Sequence, residues 1–145
     1  MSSEAKYSIV VEKNLAMRAR DGVTLFADVH RPAAQGRFPV LVIRTPYDKG
    51  SDNALTEKAY FPPRGYVVVV QDTRGRFASE GEFYPFVREA ADGYDTIKWA
   101  AQLPWSDGRV GMVGQSYMAV VQYGMAATRP PHLMALCPEI GRAHV

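Results

Sequence analysis

Ser116 lies in Arg109-Val110-Gly111-Met112-Val113-Gly114-Gln115-Ser116-Tyr117-Met118-Ala119. A short apolar run enters a Gly-X-Ser-X turn, and a helix-like run, Val120 to Ala127, leaves it. A serine at a sharp strand-to-helix turn is lifted clear of the sheet, the geometry of a nucleophile elbow. A helix starting there aims free backbone N–H groups and a partial positive charge at the point where an oxyanion would form. The chemistry this permits is attack on a carbonyl carbon and formation of an acyl intermediate.

Such a serine needs an acid and a histidine, which follow it in the chain order Ser, Asp or Glu, His. The sequence ends at Val145, too soon after Ser116 for the further strands and loops that would carry them. The sequence therefore reads as the front part of an acyl-transfer enzyme. Two other readings stand beside it: a non-catalytic binding or interaction module, and one half of a split enzyme completed by another chain.

The elements that must position the serine can be read from pattern. Tyr7 to Ala19 is an expected strand with a polar break, and Arg20-Asp21-Gly22-Val23 an expected turn with Asp-Gly at its centre. Thr24 to His30 completes an antiparallel hairpin. Phe38 to Arg44 and Tyr66 to Gln71 are continuous apolar runs, as strands buried on both faces should be. Ala54 to Phe61 predicts a short helix, stopped by Pro62-Pro63 and Gly65. Glu89 to Leu103 predicts a longer one ended by Pro104, with Ala90, Tyr94, Ile97 and Ala101 on one face. The elbow strand, the elbow helix and a strand from Leu133 to Cys137 close the pattern. Alternating buried strands and helices imply an α/β fold: a mostly parallel sheet with helices on both faces and an N-terminal antiparallel hairpin.

Composition removes several classes. The 145 residues are 47% hydrophobic and 22% charged, with a net charge of +2 and one cysteine, which is ordinary globular composition. No basic block suggests nucleic acid or a membrane surface. A single cysteine, Cys137, gives no disulfide framework and reads as a packed thiol. No apolar run approaches the roughly 20 residues of a membrane helix, and Met1 to Lys6 lacks the pattern of a signal peptide, so a cytoplasmic location is expected. Neither a phosphate-binding glycine loop nor a metal-ligand spacing is present, so no cofactor and no metal are expected.

Three further blocks, taken with the elbow, resemble the cocaine esterase and X-prolyl dipeptidyl aminopeptidase family of serine hydrolases. They are Met17 to Leu25 with Asp28-Val29-His30-Arg31-Pro32, then Arg44-Thr45-Pro46-Tyr47-Asp48-Lys49, then Gln71-Asp72-Thr73-Arg74-Gly75-Arg76-Phe77-Ala78-Ser79-Glu80-Gly81-Glu82-Phe83. The resemblance runs from about residue 8 to Pro138. It implies the N-terminal portion of an α/β-hydrolase sheet, truncated after the elbow helix and the strand that follows it. It implies hydrolysis of carboxylic esters or of amides and peptides, with a small-molecule ester or peptide as substrate and no specified oligomeric state. By resemblance Ser116 is the nucleophile, and the oxyanion is held by the Tyr47 phenol and the Tyr117 backbone N–H. Met118 and Ala119 depart from the pattern, which favours a small residue and then glycine there.

The remaining polar residues are read as structural. Asp72, Arg74, Ser79 and Glu80 are expected to fix a long loop by charge-assisted hydrogen bonds. Asp92 and Asp95 are read as solvated helix residues. His30 is read as structural, and His132 as too early in the fold for a catalytic base. Residues 1–138 form one unit, part of a catalytic domain. Residues 139–145, Glu139 to Val145, continue no pattern and match the translation of a common sequencing adapter, so they are expected to be a non-native tail that also contains His144. Reading the encoding gene across the Pro138–Glu139 junction is expected to show the frame continuing into different sequence. The same codons inside a longer natural gene would refute that expectation.

Overall fold

The computed structural model describes residues 5–51, 55–83, 88–115 and 132–139. Six strands form one sheet: β1 (Ile9–Arg18), β2 (Thr24–Pro32), β3 (Phe38–Thr45), β4 (Val67–Asp72), β5 (Ser106–Gln115) and β6 (Leu133–Glu139). Helix α1 (Leu55–Tyr60) and a 3-10 turn (Pro62–Arg64) lie between β3 and β4, and α2 (Glu89–Ala101) lies between β4 and β5. The strand order is β1-β2-β4-β3-β5-β6. Strands β4, β3, β5 and β6 run parallel to one another, while β2 is antiparallel to both β1 and β4. This is the mixed sheet, mostly parallel with an antiparallel N-terminal hairpin, that the pattern implied.

Strand β4 sets the centre. All six of its residues are buried, and four consecutive valines suit a strand covered on both faces. The strand's alternation sends Val67 and Val69 to one side, where they pack with Val40, Val42, Val110 and Met112 beneath Ile97 and Ala100 of α2. Val68 and Val70 point to the other side with Ile43, where Phe61, just after α1, packs against them.

The hairpin turn follows its Asp-Gly signal. Gly22 takes a φ of +89°, and the Ala19 N–H donates to the Val23 carbonyl at 2.9 Å. The polar break expected in β1 is a bulge: the register slips between Glu12 and Leu15, and Asn14 sits at φ +54°. Its N–H donates to Asp28 Oδ1 at 2.9 Å, which satisfies the group that the bulge removes from the ladder.

Helix α2 corrects one expectation. Its buried stripe is Glu89, Asp92, Gly93, Thr96, Ile97 and Ala100; of the expected apolar face only Ile97 is buried, while Ala90, Tyr94 and Ala101 are half-buried. The helix is rotated because polar groups of the sheet take up its polar residues. Arg44 Nη1 meets Glu89 Oε1 at 3.0 Å, with the arginine side chain fully buried. The Thr96 hydroxyl and Arg44 Nε both donate to Gln71 Oε1, at 2.9 and 2.7 Å. Helix α2 also ends at Ala101, two residues before the expected Leu103, and β6 runs past Cys137 to Glu139. The expected elbow helix, Val120 to Ala127, lies outside the described residues.

Candidate active site

In a parallel sheet the loops that leave the carboxyl ends of neighbouring strands share one edge, the usual place for a site in an open α/β fold. Strand β3 lies between β4 and β5 and runs parallel to both. The segment after β3 carries Tyr47, the segment after β4 is the long loop 73–83, and Ser116 is the next residue after β5 ends at Gln115. Ser116 and Tyr117 themselves lie outside the described residues.

Tyr47 stands at an exposed position, 43% accessible, directly after buried Thr45 and Pro46. Its N–H donates to Thr45 Oγ1 at 2.9 Å. Asp48 follows in a left-handed conformation, φ +82°, which costs a non-glycine residue free energy unless local bonds hold it. Here its Oδ1 accepts the Gly50 N–H at 2.9 Å, and its carbonyl accepts the Ser51 N–H and hydroxyl at 3.0 and 2.7 Å. The result is a compact Asx-type turn under the tyrosine.

Beneath this turn the chain dives inward. Lys49 is buried, and its N–H donates to Asp72 Oδ1 at 2.7 Å. Its ammonium lies 3.3 Å from Asp28 Oδ1 and 3.7 Å from Asp72 Oδ2. Its carbonyl accepts from Lys58 Nζ at 2.6 Å. The second loop grips the first as well: the Thr73 N–H donates to the Thr45 carbonyl, and Arg76 Nε to the Pro46 carbonyl, each at 3.0 Å.

The expected pinning of loop 73–83 is present. Asp72 Oδ2 accepts the Ala78 N–H at 3.1 Å, and the Asp72 carbonyl accepts the Ser79 hydroxyl at 2.6 Å. Ser79 Oγ in turn accepts the Phe26 N–H at 2.9 Å, and the Glu80 N–H donates to the Thr24 carbonyl at 2.9 Å. Gly75 sits at φ +73°, and a Cβ there would collide with the backbone of Glu82 and Phe83. Only glycine fits a left-handed position with backbone pressed against it. The Arg76 guanidinium lies 5.0 Å from the Phe77 ring centre and 5.1 Å from that of Phe83, within cation–π range of both.

Asp92 and Asp95 depart from their expected solvation. Arg74 Nε and Nη2 donate to Asp92 at 2.9 and 2.8 Å, and Asp92 is buried. The hydrogen bond to Asp92 is the largest cause of a guanidinium held more firmly protonated than usual, with Asp21 adding to it. Asp95 accepts the Arg20 N–H and guanidinium, each at 2.9 Å at the nearest. Their partners lie in distant segments, so helical periodicity carries no sign of them.

Burial pushes the Asp72 carboxyl above its ordinary range, opposed by the N–H groups of Lys49 and Ala78 and by the Lys49 charge. His30 is driven the opposite way: burial, then the charge of Lys58, favours its neutral form, which fits a structural role within β2, where it pairs with both neighbouring strands. The brace residues Lys49 and Asp28 were missed as functional candidates. Their one sequence signal is a charge next to positions that must be buried: Asp28 between Ala27 and Val29, and Lys49 just after the apolar strand β3. Among the described residues no group of three or more His, Cys, Asp or Glu side chains could hold a metal ion. No helix among them is long and apolar enough to cross a membrane. The side chain of Cys137 lies outside what is described.

Residues 21–144 match the profile of the X-Pro dipeptidyl-peptidase (S15) family. The cocaine esterase of Rhodococcus sp. (strain MB1 Bresler) is 43% identical over 144 residues, which take in 97% of this chain and 25% of that enzyme. A CocE/NonD family hydrolase from Staphylococcus aureus superposes with a TM-score of 0.80 at 34% identity, over 88% of this chain and 27% of its own. An aminopeptidase from a marine sediment archaeon, Thaumarchaeota archaeon, gives 0.73 at 25% identity, over 94% of this chain and 26% of its own. The sheet is thus that of the N-terminal portion of an α/β-hydrolase. The chain spans about a quarter of the length of each of these relatives.

The geometry around Asp72 makes a stability prediction. Asp72→Ala strips the acceptor from two backbone N–H groups and one of two carboxylate partners from a buried ammonium. It is expected to cost about 2–5 kcal/mol in urea unfolding. A loss under about 0.5 kcal/mol would show that the two loops hold their shape without it.

Proposed function

The chain belongs to the X-Pro dipeptidyl-peptidase (S15) family, and from that premise we propose that it carries the nucleophile and oxyanion site of a serine hydrolase of carboxylic esters or of amides and peptides. In this reading Ser116 Oγ attacks the substrate carbonyl carbon. Its proton passes to a histidine, oriented by an acid, both supplied by the part of the enzyme by which the relatives exceed this segment. The negative charge that develops on the carbonyl oxygen is held by the Tyr47 O–H and the Tyr117 N–H. Collapse of the intermediate breaks the ester or amide bond. The histidine's proton goes to the leaving alcohol or amine, and water then attacks the acyl-serine to release the acid. Without the acid and the histidine the segment alone would be inactive.

The observation that supports the reading best is topological. Val42 of β3 pairs with Met112 of β5. The two strands run parallel, so the segment that carries Tyr47 and the sequence that begins at Ser116 follow the same ends of neighbouring strands. An exposed tyrosine on a braced loop at that edge supports an oxyanion role, because the donors of an oxyanion hole must be in place before charge develops. The esterase and aminopeptidase names of the relatives support a substrate with a carbonyl joined to an alcohol or amine leaving group.

Two variants of the full-length enzyme test this. Ser116→Ala is expected to abolish labelling by a fluorophosphonate probe, and persistent labelling would remove Ser116 as the nucleophile. Tyr47→Phe is expected to lower kcat about a hundredfold with KM little changed, the usual scale for losing one oxyanion donor. Near-normal turnover would take Tyr47 out of the oxyanion hole.

A further inference from the structure

We propose that buried Lys49 is a positioning residue for catalysis, holding the Tyr47 phenol in place from two residues away. The inference rests on the reading of Tyr47 as an oxyanion donor and adds to it a residue that never touches the substrate. All three polar groups of Lys49 are committed to fixed partners. The N–H is on Asp72 at 2.7 Å, the carbonyl accepts from Lys58 at 2.6 Å, and the ammonium lies between Asp28 at 3.3 Å and Asp72 at 3.7 Å.

The partners come from three separate elements. Asp28 belongs to β2, Asp72 ends β4, and Lys58 belongs to α1. Asp28 Oδ1 also accepts the Asn14 N–H from the β1 bulge, so the ammonium is tied to a carboxylate that is itself fixed. Lys49 is therefore one point at which the loop after β3 is bolted to β2, β4 and α1 together. Tyr47 is exposed and lies at the other end of a tight turn through Asp48. With Thr45 buried before it and Lys49 buried after it, the short arch between them has little freedom to move the phenol.

The lysine charge bears on orientation more than on adhesion. The backbone bonds to Asp72, Lys58, Thr73 and Arg76 hold the main chain of the loop, and the ammonium adds a further direction by pairing with two carboxylates from different strands. An oxyanion donor displaced by even a fraction of an ångström loses much of its effect, because its benefit exists only at the transition-state geometry. A role exerted through Tyr47 must therefore appear in kcat, and it must disappear when the phenol oxygen is gone.

A double-mutant cycle in the full-length enzyme tests this, using p-nitrophenyl acetate as substrate and counting active sites by endpoint fluorophosphonate labelling. Lys49→Met keeps the apolar stem and removes the ammonium. It is expected to lower kcat per active site about tenfold or more with KM nearly unchanged. In a Tyr47→Phe background the same change is expected to cost less than about twofold. Asp28→Asn leaves Lys49 in place and weakens one of its two ion pairs. It is expected to show a smaller loss with the same disappearance, and it decides the matter if Lys49→Met does not fold. If Tyr47→Phe is costly but the Lys49 and Asp28 effects persist undiminished beside it, or if they fall on KM, the positioning role is overturned and the oxyanion reading survives. If Tyr47→Phe is itself silent, the oxyanion reading fails and the positioning role falls with it.

Discussion

A carboxylate with no solvent exposure ends the central strand, and the site edge is arranged around it. Asp72 is fully buried. Taking a carboxylate out of water costs several kcal/mol unless donors replace the water. The donors present are the N–H groups of Lys49 and Ala78, with the Lys49 ammonium further off. One donor belongs to the loop after β3 and another to the loop after β4, so the two loops cannot shift independently without leaving the charge unsatisfied. Residue 72 also passes its own carbonyl to Ser79, and Ser79 reaches back to Phe26 of β2. A single buried charge thereby fixes the relative placement of three segments that are far apart in the chain.

A second polar layer lies one residue deeper, on the opposite face of the sheet. Arg44 and Gln71 pair across β3 and β4, and both reach α2 through Glu89 and Thr96. Arg44 Nη2, Gln71 Nε2 and Glu89 Oε2 have no hydrogen-bond partner among the described residues. A network satisfied only in part contributes less net stability than its count of bonds suggests, since each orphaned group carries its own desolvation cost. Its effect is one of direction. The apolar surface of the valine strands would accept α2 at several rotations, whereas Arg44 and Gln71 accept the one that brings Glu89 and Thr96 inward.

That point also explains what was legible in the sequence. The strands were, because Val67 to Val70 and Val40 to Ile43 are apolar for a reason local to each strand: both faces are covered. The hairpin was, because Asp21-Gly22 favours the backbone that the turn needs. The face of α2 was not. Periodicity weighs apolar residues, and the true stripe runs through Glu89, Asp92 and Thr96, whose partners Arg44, Arg74 and Gln71 lie in other strands and loops. The same blindness hid the brace under Tyr47. Nothing in the spacing of Asp28, Lys49 and Asp72 announces that they meet. Tyr47 itself was marked by family resemblance and not by its neighbours, and its exposed place at the end of β3 is what the structure adds.

The division between an exposed tip and a buried base is the feature that ties fold to chemistry. A donor that acts on a developing charge must face the substrate, so it cannot be held by packing on every side. It must be held from behind, by groups that are themselves immobile. The loops at this edge carry backbone angles that are costly in isolation: Asp48 at φ +82° and Phe77 at φ +48° are both left-handed without being glycine. Each is compensated nearby, Asp48 by its own Asx turn, and Phe77 by lying between Arg76 and Ala78, which are fastened to Pro46 and Asp72. Strained residues persist only where their surroundings over-determine them. Two such residues at one edge of the sheet mark loops with a fixed shape, which is what the proposed oxyanion site would require.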